Sequence, residues 1–354
     1  MAEALVTAKN LEQFIFRVLA ANGLPEVDAR TVANLMTAAD LIGQDGHGVF
    51  RLAQYVKRLK AGGINPTPDL VLAQEFPASA VVDGDNGMGH LVMDNAANVA
   101  IDKARQTGVS WVGSRNSNHA GPASLYAMKA LAEDMIGLYV AVGSANHMPP
   151  WGGTDMLLST NPIAVAIPAA ERPPIVLDMA TTVAAYGKVK TAAQRGEMIP
   201  EGWMIDRNGK PLLDPKRSSE GFLLPIGGPK GYGLSLVFGI LAGVLNGAAF
   251  GRDVVDFNTD SESRTNTGQF ILMLNIGAFM DPVEFKSSID GVWDEMKSSA
   301  CLPGVSEIRL PGERLHATRV ERSSNGIPLP AALLEVLDGL AEENAVPKLE
   351  RAAG

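Results

Sequence analysis

The chain has 354 residues, 46% hydrophobic and 19% charged, enough to bury one large core or two linked smaller ones. A formal charge of −9 opposes nucleic acid at long range, and basic pairs such as Lys57-Arg58 are too short to reverse it, so no nucleic-acid partner is expected. No apolar run is long enough to cross a membrane, the first residues lack the basic and apolar regions of a signal peptide, and the single cysteine, Cys301, suits a reducing cytoplasm.

In chain order, Leu11, Phe14, Ile15, Val18 and Leu19 share one helical face, which Gly23 and Pro25 end. A second helix is predicted through Val32, Leu35, Met36 and Ala39, and a third from about Val49 to Ala61. Between them Gly43-Gln44-Asp45-Gly46-His47-Gly48 carries too many glycines for a helix interior, so it reads as a loop held from both sides. After Asn65-Pro66-Thr67-Pro68 the pattern becomes mixed α/β. Strands are predicted at Ala80–Asp83, Val109–Val112, Ile136–Val142, Ile163–Ile167, Ile175–Leu177 and Gln269–Ile276. Helices are predicted at Leu91–Gln106, Pro122–Glu133 and Tyr232–Leu245. The stretch from Gly187 to Gly228 reads as an extended surface excursion with a turn at Asp206-Arg207-Asn208-Gly209, and the tail from Pro328 to about Asn344 is again helical. The expected architecture is therefore α/β: residues 71–315 form a mixed sheet with flanking helices, and residues 1–70 and 316–354 form a helical portion.

No G-x-G-x-x-G follows a strand, which leaves a Rossmann reading unsupported; Gly84-Asp85-Asn86-Gly87-Met88-Gly89 has the composition of a turn. Gly227-Gly228-Pro229-Lys230-Gly231 lacks the Ser or Thr of a P-loop, and it reads either as a structural turn or as backbone N–H groups and an ammonium offered to a phosphate. The five histidines show no metal-ligand spacing. His47 lies between glycines, where backbone can approach a ligand, and Arg51 follows four residues later. A guanidinium can clamp a carboxylate through two parallel bonds, and an imidazole titrating near neutrality can exchange a proton with the neighbouring oxygen as hydride moves. Tyr55, one turn on, adds a hydroxyl contact or packs.

The run Asp45-Gly46-His47-Gly48-Val49-Phe50-Arg51-Leu52, with Tyr55-Val56-Lys57-Arg58-Leu59 and Gly63-Ile64-Asn65-Pro66, resembles the malate/L-lactate dehydrogenase family that lacks a Rossmann fold. Ureidoglycolate, sulfolactate and diketogulonate oxidoreductases and reductases of cyclic imino acids belong to that family. Further blocks resemble it in the same order: Asn116-Ser117-Asn118-His119-Ala120-Gly121, Pro150-Trp151-Gly152-Gly153, Ser159-Thr160-Asn161-Pro162, Leu177-Asp178-Met179-Ala180-Thr181, Ile199-Pro200-Glu201-Gly202-Trp203, Gly228-Pro229-Lys230-Gly231-Tyr232-Gly233-Leu234 and Leu310-Pro311-Gly312-Glu313-Arg314. The resemblance implies NAD or NADP as cofactor, His47 as acid/base with His119 as a second candidate, and Arg51 near the substrate carboxylate. It also implies Ser144, Asp178, Met179, Ala180, Lys230, Gly312 and Glu313 along the cofactor site, and a homodimer.

Two departures stand out: Gly46 replaces the family's usual Ser before the histidine, and Asn146-His147 replaces a more apolar stretch. The expected activity is hydride transfer at the carbon beside the carboxylate of a small 2-hydroxy or 2-keto acid, with reduction of a cyclic 2-imino acid as the alternative. More remote alternatives are a Schiff-base lyase using Lys230 and a non-catalytic ligand-binding protein.

Overall fold

The computed structural model describes residues 4–351, apart from the Gln194 side chain. The chain opens with β1 (Ala4–Val6), α1 (Ala8–Ala21) and α2 (Glu26–Leu41), and two 3-10 turns, Asp45–His47 and Val49–Arg51, lead into α3 (Leu52–Ala61). There follow β2 (Val71–Glu75), β3 (Ser79–Asp83), α4 (Gly89–Thr107), β4 (Val109–Ser117), α5 (Ser124–Ala127), β5 (Met135–Ala141), β6 (Ile163–Ile167) and β7 (Ile175–Met179). The rest comprises α6 (Tyr186–Arg195), β8 (Met204–Asp206), β9 (Gly221–Leu223), α7 (Pro229–Ala242), β10 (Thr267–Asn275), α8 (Pro282–Ser298), α9 (Glu313–Asn325), β11 (Ile327–Leu329) and α10 (Ala331–Glu343).

The expected mixed α/β architecture holds. Seven strands form one sheet in the order β2-β3-β4-β10-β5-β6-β7, and β3 with β4 is its one parallel pair. A sheet so largely antiparallel is not the doubly wound dinucleotide fold. The long strand β10 sits at its centre because Phe270, Ile271 and Met273 find apolar cover on both faces. On one face α4 lays down Val92, Met93, Ala96, Ala97, Ala100 and Ala104, whose small side chains at helical spacing let the helix approach closely.

A second core gathers Leu11, Phe14, Ile15, Val18 and Leu19 of α1 with Val32 and Met36 of α2, Tyr55 of α3, and Leu334 and Leu337 of α10. Strand β1 pairs antiparallel with β11, and Asn22 donates to Asn344 at 2.9 Å, so the two ends of the chain are laced together. Helix α9 runs across position 316, where the sequence places a boundary.

Three expectations need correction. Residues 187–228 are more than a surface excursion. They include most of α6, the β8–β9 pair and a small core of Val189, Ile199, Met204, Leu212 and Leu223, whose spacing is too irregular to show in the sequence. The helix expected at Pro122–Glu133 is α-helical over Ser124–Ala127 and continues as a 3-10 helix, which Asp134 ends in a left-handed conformation. The expected helix at Tyr232–Leu245 starts earlier, at Pro229, and stops at Ala242 before a 3-10 turn.

Candidate active site

The loop between α2 and α3 brings His47 and Arg51 to the surface of the helical core, and the chain leaving β4 brings His119 to meet them. The His47 and His119 rings stack nearly parallel, with centroids 5.6 Å apart and planes 14° apart. The buried Tyr55 hydroxyl lies 2.6 Å from His119 Nδ1, and the Gly121 N–H donates to the same nitrogen at 3.4 Å. With Nδ1 engaged from the protein side, Nε2 is the nitrogen left for a ligand. The Gly121 N–H can donate only to an unprotonated Nδ1, whereas the Tyr55 hydroxyl, which both donates and accepts, also serves a protonated one.

Arg51 is held as well. Its Nε donates to Gly46 O and its Nη1 to Asn258 Oδ1, each at 2.9 Å, while among the described residues Nη2 has no protein acceptor. Phe257 walls the site, its ring 5.4 Å from His119 and 5.6 Å from Tyr55. The loop carrying Phe257 and Asn258 is fastened by Arg58, which is fully buried and donates to the carbonyls of Gly63, Asp260 and Ser263.

Phe257, Asn258 and the role of Arg58 have no signature in the sequence, because these contacts join positions about 200 apart along the chain with no local pattern to announce them. His90 is likewise unmarked. That ring is buried, stands edge-on to Tyr55 at 5.3 Å, and among the described residues has no partner on either nitrogen.

Burial, with Arg51 second, pulls His47 down to about 4. Burial, then Arg51, then the other two imidazoles hold His119 well below its ordinary value, and burial with His47 brings His90 to about 3. At neutral pH the three rings are uncharged and Arg51 supplies the positive charge, an arrangement that attracts an anion and leaves an imidazole free to act as a base.

The residues implied along a cofactor site surround the β6–β7 edge of the sheet. Asp178 and Met179 end β7, and Asp178 accepts from the Ser124 N–H at 3.1 Å; burial raises its carboxyl, opposed by the Ser124 side chain and then by that N–H. Just past Ala180, Thr181 donates to Thr160 O from both its N–H and its hydroxyl. The chain then pairs Thr182 with Pro225 antiparallel, and Ile226 donates back to Thr181 O. That pairing turns Gly228 and Lys230 back toward the end of β7. Lys230 is exposed at the start of the 14-residue α7 and makes no ion pair among the described residues.

Ser144 accepts from the Phe257 N–H, and adjoining Gly143 donates to Asn161, which donates to Ser235 of α7. Gly312 has φ +90°, and a Cβ there would lie 2.7 Å from Val176 N, so only glycine lets this turn pack on β7. Glu313 is already engaged, pairing with Lys297 at 2.5 Å beside a cleft lined by Arg172, Trp293 and His316. A helix start with an unpaired ammonium suits a phosphate. These residues therefore fit a dinucleotide, Glu313 less directly than the rest.

Hydride chemistry beside a carboxylate needs an anion clamp and a proton carrier within reach of one carbon, and a fixed guanidinium next to an anchored imidazole meets that need. On a sheet of this topology, the class so defined is a dehydrogenase outside the Rossmann group. The chain belongs to the malate/L-lactate dehydrogenase family, whose profile matches residues 6–338. It is 39% identical to the L-sulfolactate dehydrogenase of Methanocaldococcus jannaschii over 96% of this chain and 97% of that one. The structure of malate dehydrogenase from Pyrococcus horikoshii superimposes with a TM-score of 0.90 at 36% identity, covering 98% of this chain and 97% of the other. The Delta(1)-pyrroline-2-carboxylate/Delta(1)-piperideine-2-carboxylate reductase of Pseudomonas putida is 32% identical over 94% of each chain. The enzyme is thus an oxidoreductase, as its sequence led us to expect.

Proposed function

We propose that the protein is an NAD(P)-dependent dehydrogenase of small 2-hydroxy or 2-keto acids in which His119 exchanges the proton with the substrate oxygen. The observation that carries this is the 2.6 Å contact between the Tyr55 hydroxyl and His119 Nδ1. It fixes one imidazole and frees its Nε2, whereas the His47 side chain makes no hydrogen bond among the described residues. His47 then lies against the substrate as a neutral donor or acceptor, and the free Nη2 edge of Arg51 takes the carboxylate. When bound, the nicotinamide gives or takes hydride.

Ser144, Asp178, Met179, Ala180, Lys230 and Gly312 hold the coenzyme, with Glu313 bordering it. Residues 71–315 form the coenzyme portion, and 1–70 with 316–354 the helical portion against which the substrate loop rests. Homodimerisation is supported by α7, which exposes Leu234, Val237 and Ile240, continued by Val244 and Leu245. No helix among the described residues is long and apolar enough to cross a membrane, and the exposed, free Cys301 suits a cytoplasmic setting.

The test is a panel of 2-keto acids and cyclic 2-imino acids assayed with both reduced coenzymes, run on the wild type, His119→Asn and His47→Asn. His119→Asn should lower turnover by about 10²–10⁴-fold with coenzyme still bound, and His47→Asn should act mainly on KM. The reverse order would return the proton to His47.

A further inference from the structure

The loop that presents His47 and Arg51 is fastened to the helical portion by a residue to which no role in the site has been given. Asp40, in the last turn of α2, is 1% exposed. Its Oδ2 accepts the Val49 N–H at 2.8 Å, beneath the segment that joins the His47 turn to the Arg51 turn. The same carboxyl fills the space beside Gly48: a Cβ built there would lie 2.1 Å from Asp40 Oδ1 and 2.3 Å from Oδ2. A carboxyl therefore already occupies the place that a side chain at Gly48 would take.

Helix α9 holds the loop from the other side. Arg322 donates to the Asp40 carbonyl and to the Asp45 carboxylate, and Thr318 packs against Gly43. Asp45 and Arg322 are also the charged groups that act on the Asp40 carboxyl, and burial raises it to about 8, so at neutral pH its shape and hydrogen bonding outweigh its charge.

We propose that Asp40 is a positioning residue for the substrate site: it sets the height and tilt of the His47–Arg51 loop through Val49 and Gly48, while Arg322 clamps the same loop from α9. The inference rests on the reading of His47 and Arg51 as substrate-facing groups. A shift of about 1 Å in such groups costs up to roughly 10²-fold in rate.

The test uses the full-length enzyme. Gly48→Ala, which pushes a methyl into the carboxyl, should lower kcat/KM for the acid substrate roughly 10–100-fold with coenzyme Kd within about twofold of wild type. Asp40→Asn keeps an oxygen for the Val49 N–H and should stay within about threefold. Asp40→Ala should resemble Gly48→Ala, and because both act on one contact, the combined variant should lose no more than the worse single change. Wild-type kinetics in Gly48→Ala, a coenzyme Kd that worsens in step, or additive losses in the pair would each overturn the proposal.

Arg51→Lys separates this from failure of the site reading. If Arg51→Lys leaves KM unchanged, the carboxylate binds elsewhere. Positioning is then judged by NMR of the His47 imidazole, whose resonances should move in Gly48→Ala while those of His147 stay; unmoved His47 resonances would reject it.

Discussion

Replacing Tyr55 by Phe removes one oxygen from the interior and little else, since the ring stays packed between His90 and Phe257. That oxygen lies 2.6 Å from His119 Nδ1, and the other neighbour of this nitrogen is the Gly121 N–H at 3.4 Å, near the limit of a useful bond. A buried imidazole nitrogen deprived of its partner costs about 1–3 kcal/mol, and if the loss is felt where His119 gains or gives up a proton, kcat falls about 5–150-fold. Substrate KM and coenzyme Kd should change by less than about threefold, because Arg51 and the Lys230 region are untouched. Steady-state kinetics across pH, with a coenzyme fluorescence titration, would show a lowered kcat and a displaced ionisation. Wild-type kcat with an unmoved pH profile would mean that the Tyr55–His119 contact is structural and that His119 is not the proton carrier.

Lys230→Ala should weaken coenzyme binding roughly 10–150-fold, the value of one charge-assisted bond, while kcat at saturation changes little; an unchanged Kd would remove the ammonium from the phosphate site. At Gly46 a Cβ would meet none of the described residues within 4 Å, so Gly46→Ser should fold with a stability change below about 1 kcal/mol and alter substrate KM rather than coenzyme Kd; a large loss of Tm would contradict the open space beside the loop. Stability should fall on both sides of a maximum at about pH 7. Below it, the unfolded chain takes up protons on its histidines while His47 and His147 stay neutral to about 4 and His90 to about 3, so Tm drops as pH falls from about 6.5 toward 4. Above it, the unfolded Asp40 has already ionised while the folded carboxyl holds its proton to about 8, so Tm declines as pH rises toward 8, and Asp40→Asn should flatten this upper limb. Calorimetry across pH showing an upper limb identical in wild type and Asp40→Asn would contradict the burial assigned to that carboxyl.

Local pattern carried the sequence reading where burial is periodic. The spacing of Leu11, Phe14, Ile15, Val18 and Leu19 names the buried face of α1, and Ile163–Ile167 is β6 to the residue because a continuous apolar run of that length fits a strand covered on both sides. The three-residue β1 and β11 carry no such pattern. They exist through pairing with each other across the length of the chain, a tertiary contact that outweighs propensity. Helix α9 is polar, with no buried residue, and its apolar signal is correspondingly faint.

The site divides in the same way. Clustered glycines mark the loop that holds His47, but the Asp40 carboxyl that fills the space beside Gly48 is a contact that the sequence could not show. The choice between the two histidines depends on Tyr55 reaching His119 from 64 residues away, and the setting of Arg51 depends on Asn258 from 207 residues away. The residue types were legible; which atoms face one another was not.

The most direct test follows the hydride itself. With reduced coenzyme deuterated at the transferring ring carbon and a panel of 2-keto and cyclic 2-imino acids, the product should carry deuterium at the carbon bonded to the carboxylate, and Arg51→Lys should suppress that transfer. Label at any other carbon, or no oxidation of either coenzyme by any member of the panel, would contradict hydride transfer beside a carboxylate as the work of this site.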